Sequence, residues 1–241
     1  MTTRRTTLVL CALVTTLSLL AACGDDSTDS GSGDTTSTTS TSTTTSSSTT
    51  TTEPAPADAT PVVWPPADGS ISYDDPVEAA TGFAVDLVGF TDPVVGEFQQ
   101  GDTRSGEVEV RPTATGPATV VLVRQVGDDD TWSVIGATTE SIVPTTPAPG
   151  DVVRSPVQLG GTSTAFEGNV QVEVVGRRTG EPLGSGFVTG GSMGEMGPFA
   201  GEVAFSGADT DDGAVVFLTR SEEDGSVWDA AVVPVTFSPG G

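Results

Sequence analysis

The chain has no lysine and no histidine; its nine basic residues are all arginine, and it has two cysteines in 241 residues. Each absence removes a class of chemistry. With neither imidazole nor amine, a serine nucleophile has no His or Lys to take its proton. Cys11 lies inside an apolar N-terminal stretch and Cys23 just beyond it. The rest of the chain carries no thiol, which excludes a disulfide and a cysteine-based metal site there.

Cations are scarce as well. Thirty-three acids against nine arginines give a formal charge of −24. Such a chain repels phosphate backbones, which excludes nucleic acid as a partner, and it repels anionic lipid headgroups. Acidic excess serves solubility first. No residue pattern points to a cofactor, a metal site or a catalytic residue.

What is present begins with an export signal. Arg4 and Arg5 precede an apolar run over residues 8–20, too short to span a bilayer comfortably as a permanent helix. The run ends in Leu20-Ala21-Ala22-Cys23. This resembles the bacterial lipobox, in which a large apolar residue and two small ones precede a cysteine. The resemblance implies removal of residues 1–22 as a lipoprotein signal peptide and a diacylglyceryl thioether on Cys23. It places the protein on the extracytoplasmic face of the cell membrane, anchored by lipid. Two acyl chains, at about 0.8 kcal/mol per buried methylene, suffice for stable anchoring.

Residues 23–59 read as a linker. From residue 27 to residue 52 only Ser, Thr, Gly and Asp occur, so nothing apolar offsets the entropy of ordering the backbone. The Ser/Thr density resembles O-glycosylated stalks.

Residues 60–148 are expected to form a small α+β domain. Asp75 reads as a helix N-cap with Pro76 at the first helical position and Glu78 placed for a capping box. Val77, Ala80, Ala84 and Leu87 recur at helical spacing, and the helix should end by Thr91, before Asp92-Pro93. Strand patterns follow at residues 107–111, 119–126 and 132–137, the last two joined through Asp128-Asp129-Asp130. Phe83, Phe90 and Trp132 are candidate core.

Residues 149–238 show strand after strand with close turns and no helix signal. About seven short strands in such a span suit a β-sandwich. The fold class expected for the chain is therefore mainly β. Ser155-Pro156, Phe166-Glu167-Gly168, Gly197-Pro198-Phe199, Asp224-Gly225-Ser226 and Pro234 follow in one order. Together they resemble the immunoglobulin-like domain of bacterial spore germination. The resemblance implies an extracytoplasmic sandwich with no catalytic residues to carry over. On physical grounds these motifs look architectural. Phe166 and Phe199 are expected to anchor the core, Gly168 and Gly197 to permit tight turns, and Pro234 to mark an edge or a bulge.

Three motifs imitate chemistry. Residues 190–194 match G-x-S-x-G around Ser192, but no helix pattern follows and no His or Lys is available as base. Residues 209–213 hint at a calcium loop whose spacing fails, with Arg220 where the bidentate Glu should be. The glycine-rich run over 184–201 has no G-x-G-x-x-G match and opens no helix. The expectation is a membrane-anchored, non-catalytic binding module whose partner is a cell-envelope protein or a wall polymer. Two alternatives stand beside it: carbohydrate or peptidoglycan binding through an exposed aromatic such as Trp228, and a carboxylate-based hydrolase.

Overall fold

The computed structural model describes residues 61–238 except 129 and 209–211. The signal peptide, the lipobox, Cys23, the linker and most of the calcium-like loop lie outside the described residues. The described chain is mainly β. In order, a short helix α1 (Pro76–Gly82) leads into a π-helical segment (Phe83–Val88). Then come β1 (Val94–Gln100), β2 (Ser105–Arg111), β3 (Thr119–Gln125), β4 (Trp132–Thr139), β5 (Ile142–Thr146), β6 (Val152–Val153) and β7 (Val157–Ala165). After a 3-10 turn (Phe166–Gly168) follow β8 (Asn169–Gly176), β9 (Pro182–Thr189), β10 (Gly191–Ser192), β11 (Gly197–Val203), β12 (Asp212–Arg220) and β13 (Val227–Phe237).

The helix starts as its residues dictate. The Asp75 side chain accepts from the Val77 and Glu78 N–H groups at 2.8 and 3.0 Å. The expected single α-helix instead widens into π geometry at Phe83 and closes at Gly89, whose φ is +88°. There the N–H groups of Gly89 and Phe90 both reach back to the Ala84 carbonyl. Phe83 and Phe90 are buried, and Trp132, partly buried, meets Phe98 edge-on at 5.1 Å.

A long sheet runs β1-β2-β3-β4-β13-β12-β8-β9, with β6 beside the end of β13. A short sheet is built on β7, which pairs with β11, β5 and β10. The two expected halves therefore share one sheet, joined where Ala137 of β4 meets Val232 of β13. β5, which precedes the expected boundary at residue 149, belongs to the short sheet.

This joint explains the unbroken apolar runs of β12 and β13. Ala214, Val216, Leu218, Ala230 and Val232 face a core shared with Phe83, Phe90, Trp64 and the valines of β2 to β4. Val215, Phe217, Ala231, Val233 and Val235 face the opposite core, under the short sheet with Phe199, Phe205 and Phe237. A strand covered on both faces has no polar side to show.

Pro234 sits in this central strand without breaking a ladder. Its carbonyl accepts from Gly150 N–H at 2.8 Å, on the side of β13 that lies between the β4 and β6 pairings. Backbone N and carbonyl of one strand residue face the same side, so the missing N–H falls in that gap. Ser155 Oγ accepts from Phe205 N–H at 2.9 Å, and the exposed Pro156 leads into β7.

Candidate binding site

At one end of the second half, the turn after β7, the β10–β11 loop, the β12–β13 hairpin and the β4–β5 corner converge on a cleft of about 540 Å3. Its walls carry Phe166, Met193 and Trp228, which are 51%, 77% and 39% exposed.

Phe166 is a correction: it does not anchor the core. Strand β7 alternates, with Val157, Leu159, Ser163 and Ala165 turned inward, so residue 166 is due to face outward. The next two residues hold it there, Glu167 at φ +53° and Gly168 at φ +72°. At Gly168 a Cβ would lie 2.9 Å from the Gly190 carbonyl oxygen, so only glycine fits against the β10 segment. Phe199 is buried as expected. It stands opposite Gly161 in the β7–β11 register, and its ring meets Phe217 at 5.8 Å. Gly197 is a second correction. It makes no tight turn; it begins β11, where its missing Cβ lets the backbone of Gly191 come close. Pro198 is exposed on β11, whose strand pairing is with β7.

The glycine-rich loop is thus held by backbone-to-backbone packing. It carries Met193 outward at φ +56°, a conformation costing a non-glycine residue of order 1 kcal/mol. Ser192, centre of the G-x-S-x-G match, lies on the two-residue β10 and is followed by a turn and β11.

Trp228 owes its position to a bulge. Thr219 pairs with Asp229 and Arg220 with Val227, so Trp228 is the extra residue and is turned out of the ladder. The adjoining Asp224-Gly225-Ser226 turn closes the hairpin. Asp224 Oδ1 accepts from Ser226 N–H at 3.0 Å and Ser226 Oγ at 2.7 Å, and Arg220 donates to the Gly225 carbonyl at 3.1 Å. The Ser226 hydroxyl, with the Ser226 N–H, holds the Asp224 carboxyl below its ordinary value.

The floor is polar. Asp229 is 1% exposed. It accepts from the hydroxyls of Ser141, Thr139 and Thr219. Three donors satisfy a carboxylate removed from water. They also tie the β4–β5 corner to β12 and β13. The Thr164 hydroxyl, lining the same cleft, is buried without a hydrogen-bond partner. A second cleft, lined in part by Glu140 and Met196, shares Pro117, Ser141 and Thr164 with the first.

Residues 141–226 match the family model of the immunoglobulin-like domain of bacterial spore germination. No curated protein and no solved structure matches the chain. The matched span opens in the β4–β5 corner, eight residues before the boundary expected from sequence, and closes at the Asp224-Gly225-Ser226 turn. It thus holds Phe166, Met193, Thr219 and Ser141, while Trp228 and Asp229 follow directly after it.

Sequence reasoning missed the outward role of Phe166, the exposure of Met193 and the Asp229 cluster. The last had a signal: an acid inside the apolar run 227–237 needs buried donors.

Proposed function

We propose that this protein is a lipid-anchored, extracytoplasmic, non-catalytic recognition module, and that the cleft edged by Phe166, Met193 and Trp228 is its binding surface. One observation carries the reading: three exposed apolar side chains stand on backbone held by glycine contacts, left-handed φ and a bulge. Exposed apolar groups gathered on rigid supports favour binding. The family of residues 141–226 points the same way, to a germination-related binding role. Asp229, the buried acid of the cleft, is engaged by three hydroxyls, which favours an architectural over a hydrolytic part.

The anchor is tested by Cys23→Ala. That variant should leave the membrane fraction and be recovered folded. Retention on membranes after a salt wash would remove the lipid anchor from the account.

Trp228 at the cleft mouth, above a hydroxyl-rich floor, favours a second reading, wall carbohydrate as ligand. Aromatic faces stack on sugar rings, and hydroxyls exchange hydrogen bonds with them. Sedimentation with purified cell wall at low salt tests both readings of the surface. Retention that drops in Trp228→Ala and Phe166→Ala supports the cleft; equal retention of all three proteins places binding elsewhere.

A further inference from the structure

The charge around the cleft narrows the chemistry of what it holds. Glu222 and Glu223 line its rim, and Glu140 stands on the adjoining cleft. The rim's arginine, Arg220, is engaged within its own sheet, by Gln171 Oε1 at 2.7 Å and by the Gly225 carbonyl. Arg111, on the adjoining cleft, is paired with Glu109. Behind these stands a chain of formal charge −24. The same cleft carries Phe166, Met193 and Trp228, and the adjoining cleft carries Met196.

Resting on the reading of this cleft as the binding surface, we infer that its occupant is a basic segment of a partner protein. An apolar side chain of that segment packs against Phe166, Met193 and Trp228, and a neighbouring lysine or arginine faces Glu222 and Glu223. An anionic wall polymer is repelled by this rim. A neutral glycan gains from the aromatic faces but leaves the rim acids without a role. Unbranched thioethers such as those of Met193 and Met196 adapt to varied apolar side chains, as protein recognition requires. Opposite charge on the partner speeds encounter and fixes register more than it adds affinity.

The test titrates the purified full chain by calorimetry with three probes: a short lysine–leucine peptide, its glutamate–leucine counterpart and a soluble N-acetylglucosamine oligomer. The lysine–leucine peptide should bind and the other two should not. Affinity should fall about tenfold in Trp228→Ala and about threefold in the double variant Glu222→Gln, Glu223→Gln, and should weaken as salt rises. Met193→Ala, at an exposed loop position, is the control should Trp228→Ala fail to fold; it too should weaken binding. Equal binding of both peptides overturns the inference, since charge would then play no part; lysine–leucine binding indifferent to Trp228 and Met193 also overturns it, since attraction to an acidic chain would then suffice. Sugar binding lost in Trp228→Ala, without peptide binding, overturns it while leaving the cleft as the binding surface. If no probe binds, the inference fails, and wall sedimentation separately decides whether the cleft binds at all.

Discussion

In the first half, a sheet face of Val108, Val110, Val121, Val123 and Val134 lies under a helix and the buried Val63 and Trp64. In the second, Val170, Val172, Val174 and Phe217 lie under another sheet, built on β7. Both covers bury a β face, but they finish differently at their ends. A helix brings its own backbone partners and needs only caps, here Asp75 and Gly89. A covering sheet must be entered and left by turns, and those turns gather at the ends of the sandwich. The cleft forms where three of them meet the β12–β13 hairpin of the long sheet, which is why it lies at the end covered by the short sheet. The shared strands β12 and β13 serve both cores and make each half depend on the other.

The largest effects should come from emptying either core. Phe83→Ala, on the buried face of the helical segment, and Phe217→Ala, under the short sheet, should each cost about 3–5 kcal/mol. Because the two cores share the central strands, urea unfolding of either variant should show one transition by both near- and far-ultraviolet dichroism. A variant that loses one half in a separate step would break the comparison.

A smaller loss is expected from the Asp229 cluster, which ties the β4–β5 corner to the central hairpin. Asp229→Ala strands three hydroxyls in the interior and should cost about 1–3 kcal/mol, with Asp229→Asn milder because its carbonyl still accepts. Thermal melts of the two variants separate these outcomes; an Asn variant no better than Ala would deny the hydroxyls their role.

Phe166 and Phe199 sharpen the contrast between surface and core within one family motif set. Phe199→Ala should cost about 3–5 kcal/mol, as any buried phenylalanine does. Phe166→Ala should stay within about 1 kcal/mol of the parent in a melt, because half of its ring is already in water. Comparable losses in the two would return Phe166 to the core.

The smallest effect is electrostatic. The folded Asp224 carboxyl titrates below its ordinary 3.8, because Ser226 donates to its charged form. Its contribution to stability is therefore present above that value and is lost as pH falls through the lower folded value. Asp224→Asn should lower stability slightly in the neutral range, with the difference from the parent vanishing as pH falls below the folded value, as read by melts from neutral to acidic buffers.

Much of this architecture was legible as pattern. The Asp75-Pro76 helix start, the alternation at 107–111 and at 169–175, and the turn at 224–226 all fall where local chemistry puts them. β1 and β7 were not legible. β1 is mostly exposed, and β7 carries Gly160, Gly161 and Ser163, which interrupt the apolar alternation that marks a strand. Without β7 there was no parity from which to turn Phe166 outward. The bulge at Trp228 was hidden as well, since an extra residue in one strand is defined only by its partner's register.

The sequence by itself determined the class of fold and the family of residues 141–226, because both rest on local alternation, turn residues and an ordered set of motifs. It also determined the poverty of bases, since no fold can supply a histidine or a lysine that the chain does not contain. Tertiary structure alone decided that one long sheet serves both halves and that Phe166, Met193, Trp228 and Asp229 share a cleft. Those relations join residues far apart in the chain, 88 positions between Ser141 and Asp229 and 90 between Thr139 and Asp229. Strand register and packing, not neighbouring sequence, bring such residues together.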